Sequence, residues 1–174
     1  LALDAVAASL YAEFPTSAKK ADDVRGWRDD LREVAVRMYG ELGRRPWSAE
    51  QQLVSRDRGP NQLRIWDHLG RIFLRAGFDE QRAFYGMSAV LSYVLGYAVQ
   101  EAAAARSGWG RAEYLSQMGE FLASLDPKEY PAVVRMADVF ATHQQREQFE
   151  SGLDVLLDGL ERQLAGIRAD QADR

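Results

Sequence analysis

Two histidines, His68 and His143, are the side chains of this sequence that titrate near neutral pH, and a metal or a proton shuttle would look to them first. Neither has a second ligand at metal spacing such as H-E-x-x-H, so no metal site is expected. His68 stands at the edge of an apolar helical face beside Ile72 and reads as a hydrogen-bonded structural histidine, with a ligand contact as the second reading. His143 falls in a polar turn and reads as solvated. The carboxylate pairs Asp22–Asp23 and Asp29–Asp30 are adjacent, at capping or exposed positions, and do not converge as an acid and a base must. There is no G-x-S-x-G elbow, no P-loop and no glycine-rich dinucleotide turn. Cysteine is absent, which excludes disulfides and thiolate chemistry and allows a reducing compartment. The sequence therefore reads as non-enzymatic, with no cofactor expected. Asn61 and Gln62, opening a helix, could anchor a polar group; capping or solvent exposure is an equal reading.

The elements that carry these residues are helical throughout. The chain has 174 residues, 47% of them apolar, enough for one domain with a real core. Its net charge of −4 gives it no overall pull toward phosphate. Residues 1–14 read as a first helix, ending before Pro15 and the polar link "TSAKKADD". Asp22 or Asp23 could cap a second helix over 24–44, with Trp27, Leu31, Val34, Met38 and Leu42 on its inner face. A short helix starts near Ser48, where Ser48 and Gln51 have capping-box spacing. A fourth covers 61–76 after Pro60 and stops at Gly77. Asp79 caps a segment that carries no charge from 83 to 99 and reads as a soluble helix covered on nearly all sides. Further helices are expected over 114–125, from Asp126 to about 140, and from a Thr142–Gln145 capping box to about Gly166. The sequence opens within a helical segment without methionine, so a preceding segment is expected. "LALDAVAASLYAEF" is a poor signal peptide.

Two of these helices carry interior glycines, each costing about 1 kcal/mol relative to alanine. In "FESGLDVLLDGLERQL", Phe149, Leu153, Leu156, Leu157, Leu160 and Leu164 make one apolar stripe. Gly152, Val155 and Gly159 widen it to roughly 200°, more than one core needs. The uncharged helix has Gly86 and Gly96. Either two copies of the chain pair through a four-helix interface, or the glycines let these two helices touch within one chain.

Taken together, "WRDDLREVAVRMYGELGRRPW", "AGFDEQRAFYGMSAVLSYVLGYAVQEAA" and "FESGLDVLLDGLERQL" resemble the C-terminal regulatory domain of the tetracycline-repressor (TetR) family. The resemblance spans nearly the whole chain. It implies an all-α fold of about seven helices that dimerises through a four-helix bundle. Residues 1–14 would be the helix linking it to an N-terminal helix-turn-helix domain that this sequence lacks, and 15–174 the effector-binding and dimerisation domain. It implies a cytoplasmic homodimer acting as a transcriptional regulator, by default a repressor released from operator DNA by a small molecule. The interface would use Gly96, Gln100, Phe149, Gly152, Leu153, Val155, Leu156, Gly159 and Leu160. By position against the family, the pocket would be lined by Val34, Met38, Trp66, Leu69, Phe84, Met87, Ser88 and Leu91, with Trp109 and Phe121 from the more variable later segments. The alternative for every apolar member is plain core packing.

The family's magnesium–tetracycline chemistry is not implied here. The loop "SRDRGPNQ" has no histidine, and Gln100 stands where a glutamate would be needed. An aromatic-rich lining points to a hydrophobic or aromatic effector. The other reading is a stand-alone helical dimer, a ligand-binding or scaffold protein with no DNA-reading domain. No membrane partner is expected.

Overall fold

The computed structural model describes residues 2–12, 14, 26–55, 59–106, 108 and 110–173. They form eight α-helices: α1 (Ala2–Ala12), α2 (Trp27–Arg44), α3 (Pro46–Val54), α4 (Pro60–Ala76), α5 (Glu80–Arg106), α6 (Arg111–Ala123), α7 (Pro131–Thr142) and α8 (Gln145–Ala172). The described residues include no strand. The possible caps at Asp22 and Asp23 and the link around them lie outside the described residues.

Two compact units divide the chain, one of residues 1–102 and 152–174, the other of 103–151. The first holds the larger core. Leu31, Val34 and Leu42 of α2, Leu69, Ile72 and Phe73 of α4, Val90 and Val94 of α5, and Leu153 and Leu157 of α8 are all shut off from solvent. Their spacing of three and four residues is what puts each set on one helix face. Trp27 and Phe73 both meet Phe78 edge-on, at 5.9 and 5.4 Å between ring centres. Gly77 ends α4 in the left-handed conformation (φ 107°). The Phe78 N–H then reaches back to the Phe73 carbonyl at 3.2 Å. Arg168 of α8 donates to the Ala76 carbonyl at 3.1 Å, a cation at the negative end of α4. Along the outside, Arg28 and Arg32 of α2 pair with Asp158 and Asp154 of α8 at 2.6 and 3.2 Å.

In the second unit α6 and α7 come very close at Gly119. A Cβ there would lie 2.5 Å from the Ala141 Cβ and 3.3 Å from its Cα. His143 is half-buried and has partners: its Nδ1 lies 2.7 Å from the Phe140 carbonyl, and Arg111 reaches Nε2 at 3.3 Å. The first bond makes Nδ1 the protonated nitrogen, leaving Nε2 to accept from arginine.

Several starts differ from their sequence signals. α3 begins at Pro46, and Ser48 donates its hydroxyl back to the Arg45 carbonyl at 2.8 Å instead of capping. Asp126 accepts from the Lys128 N–H at 2.8 Å in a turn of its own, and α7 waits for Pro131. Thr142 bonds the Asp138 carbonyl at 2.8 Å and so closes α7. Asp79 does cap as its position suggests, accepting the Arg82 N–H at 2.8 Å. That bond and the Arg82 side chain hold its carboxyl below the ordinary value.

The expectation that the uncharged helix is covered on nearly all sides fails within one chain. α5 buries Ala83, Gly86, Met87, Val90, Val94, Ala98 and Ala102, a single face. Phe84 and Tyr85 are exposed. No helix among the described residues is long and apolar enough to cross a membrane.

Candidate functional site

One cavity, of about 200 Å³, opens inside the first unit. Five helices wall it. α1 gives Val6, Ala7 and Leu10; α2 gives Met38, Glu41 and Leu42; α3 gives Gln52. α4 adds Gln62, Ile65 and Trp66, and α5 adds Ser88, Leu91, Ser92 and Leu95. The α5 set falls at i, i+3, i+4 and i+7, one stripe down the helix. Trp66 is 39% exposed and stands at the rim. A mostly apolar concavity with a few polar side chains is the form a small-molecule site takes.

Three polar features stand out against the apolar wall. Glu41 is buried, and its two carboxylate oxygens accept from Arg44 and Arg45, so its charge is neutralised from outside the cavity. Gln62 is also buried, and its Oε1 has no hydrogen-bond partner among the described residues. An orphaned buried acceptor costs about 1–3 kcal/mol. The third feature is the start of α4. Gly59 is its N-cap residue and has no side chain to offer. Asp4 of α1 does the capping instead, accepting from the Asn61 N–H at 2.8 Å and from Asn61 Nδ2 at 2.9 Å. A Cβ at position 59 would collide with that Asp4 carboxyl, so the bare glycine is what lets α1 come this near.

The structure sorts the expected pocket residues by which side of their helix faces space. Met38, Trp66, Ser88 and Leu91 lie together on the cavity wall. Val34 and Leu69, one turn from Met38 and Trp66, are sealed in the filled core with no exposure. Met87 is buried outside the cavity lining, Phe84 is exposed, and Phe121 is exposed in the second unit. Trp109 lies outside the described residues. Glu41, Gln52, Ser92 and Leu95 line the cavity, and spacing alone does not single them out. Glu41 was findable: it is three residues from Met38 on an inner face, with arginines at i+3 and i+4 to neutralise it.

His68 faces rings, not the cavity. It packs 5.1 Å from Phe14 and 6.1 Å from Tyr11, measured between ring centres. Burial lowers its pKa from the ordinary 6.5, and Arg71 and Arg75 push the same way against Asp30 and Asp67. No group of three or more metal-ligating side chains occurs among the described residues.

The glycines divide by pair. Gly86 lies against Phe73 and Leu160, and Gly152 against the Tyr93 hydroxyl, so here the fit is within the chain. At Gly96 and Gly159 a Cβ would meet nothing within 4 Å among the described residues. Phe149, Leu153 and Leu160 of the expected interface are buried already. Gln100 and Val155 are exposed, the latter by 68%, and Leu156 is half-buried.

Residues 20–164 match the family model of the tetracyclin repressor-like C-terminal domain. The fold is similar to that of SCO7222, a TetR from Streptomyces coelicolor, at 31% identity and a TM-score of 0.74, over 91% of this chain and 72% of that one. It is also similar to ActR of Streptomyces coelicolor, solved in complex with actinorhodin, at 19% identity and a TM-score of 0.75, over 93% and 75% of the two chains. ActR bound to (S)-DNPA matches at 21% identity and a TM-score of 0.70, over 94% and 74%. Among curated proteins none matches.

Proposed function

Because this chain belongs to the TetR family of regulators, as its C-terminal domain, we propose that it binds a small effector in the five-helix cavity and holds the regulator as a homodimer. DNA contact belongs to an N-terminal helix-turn-helix domain outside this sequence. Effector binding shifts the paired α1 helices and takes the two DNA-reading domains off the spacing of successive major grooves. The regulator is then released from its operator, as a repressor would be.

The observation that carries this reading is the share of the cavity wall that comes from α1. Val6, Ala7 and Leu10 face the same space as Trp66 and Leu91. A ligand there touches the helix that would lead to DNA, so its affinity depends on where that helix sits. ActR, of the same fold, is solved with actinorhodin, which supports a small-molecule effector here; the apolar wall favours a hydrophobic or aromatic one. The cavity of about 200 Å³ favours a small one. Gly96, Gln100, Val155 and Gly159 leave an uncovered strip that suits a second copy.

The test is a thermal-shift screen of hydrophobic and aromatic small molecules on this chain, repeated on Leu91→Trp, which fills the cavity. Compounds are expected to raise the melting temperature of the wild type and to leave that of the variant unchanged. Hits then go to the full-length regulator on a labelled operator duplex, where falling anisotropy is expected. Compounds that stabilise both proteins equally would place binding elsewhere and overturn the reading.

A further inference from the structure

We infer that the effector is a neutral, largely apolar molecule that donates a hydrogen bond, from a hydroxyl, phenol or N–H, to Oε1 of Gln62. This rests on the cavity being the effector site. It goes further by fixing the polarity and charge that the ligand presents at one point.

Gln62 is 93% removed from solvent and lines the cavity, and its Oε1 is the buried side-chain atom left without a partner among the described residues. It sits third in α4, after Pro60 and Asn61. A glutamine at that place commonly reaches back to the N-cap N–H. Here the oxygen makes no such bond, and the helix start is served by Asp4 of α1 instead. The side chain is therefore not needed for capping. The oxygen is shut in as the side chain stands, so a ligand donor meets it once the Gln62 amide turns toward the cavity that the residue lines.

The same end of the cavity disfavours a negative ligand. A helix N-terminus ordinarily attracts anions. At α4 that place is already taken by the Asp4 carboxylate. On the cavity wall the Glu41 carboxylate is already met by Arg44 and Arg45, so part of the charge of those two arginines is spent before a ligand carboxylate arrives. A neutral donor meets Gln62 without opposing charge.

Calorimetry on the intact chain with β-naphthol, its methyl ether and β-naphthoic acid tests this. The phenol donates, the ether cannot, and the carboxylate is charged at neutral pH. The wild type is expected to bind the phenol about five- to tenfold more tightly than the ether, and the acid more weakly than either. Gln62→Leu is expected to level phenol and ether by weakening the phenol alone. Gln62→Met, closer in shape, gives the same comparison should the leucine variant fail to fold, with circular dichroism as the check. Equal affinities of the wild type for phenol and ether would overturn the inference while leaving the cavity as a binding site. Preference for the acid would overturn it too. Binding of none of the three would overturn the effector reading of the cavity along with it.

Discussion

Single atoms decide what the interior glycines do. An alanine methyl at position 86 would sit 2.5 Å from a ring carbon of Phe73, which has no exposure and nowhere to turn. Gly86→Ala is expected to lower stability by about 1–3 kcal/mol, read as an earlier urea midpoint. Gly152→Ala should be milder, because it first meets the hydroxyl end of half-buried Tyr93, which can swing. His68 sets a pH dependence. Its folded pKa lies below the ordinary 6.5, so the unfolded chain takes up the proton first. Stability from this residue is complete above the unfolded value of about 6.5 and is lost as pH falls from there to the folded value. Denaturation from about pH 8 down to about pH 5 should show the wild type losing more stability than His68→Gln. Identical slopes would mean that His68 titrates as freely folded as unfolded.

At the scale of elements, helices borrow their ends from one another. Asp4→Ala removes the cap of α4 from a different helix and is expected to cost about 1 kcal/mol, seen as a lower melting temperature. Gly119→Ala would push α6 from α7, since the Ala141 Cβ and backbone are what it meets. Loss of α6 and α7 amide dispersion by NMR, with α2 and α4 unaffected, is the expected sign. Helices were legible in the sequence because apolar spacing and glycine or proline punctuation repeat along it. Their starts were less so. Asp126-Pro127 carries a strong start signal, yet the chain uses Asp126 to close a turn, and Pro131 takes over. The candidate site was legible only as far as burial. Spacing places Val34 and Met38, or Leu69 and Trp66, on inner faces alike. Which of each pair has a void behind it depends on how five helices meet, and no single helix records that. Phe84 and Met87 show the same limit on α5, where the cavity faces Ser88 and Leu91 instead.

For the whole molecule, the unanswered half of the glycine pattern is the guide. A Cβ at Gly96 or Gly159 would meet nothing within 4 Å among the described residues, and neighbouring Val155 is left 68% exposed. In a single chain, Gly159→Leu has room and adds helix propensity. In a pair of chains that meet at this strip, it holds them apart. The variant is expected to keep its helical circular dichroism and to shift from dimer toward monomer by light scattering at micromolar concentration. A dimer of unchanged strength would move the interface away from Gly159.

The α1 contribution to the cavity also has a kinetic face. Val6, Ala7 and Leu10 can line it only while α1 lies docked, with Asp4 on the first turn of α4. Each excursion of α1 away from that seat exposes its amides to deuterium and takes a wall from the cavity in the same event. An effector held there as proposed would have to wait for the wall to return, or leave. On the proposed function, ligand residence and deuterium uptake by residues 2–12 would be two clocks on one motion, and Asp4→Ala should quicken both.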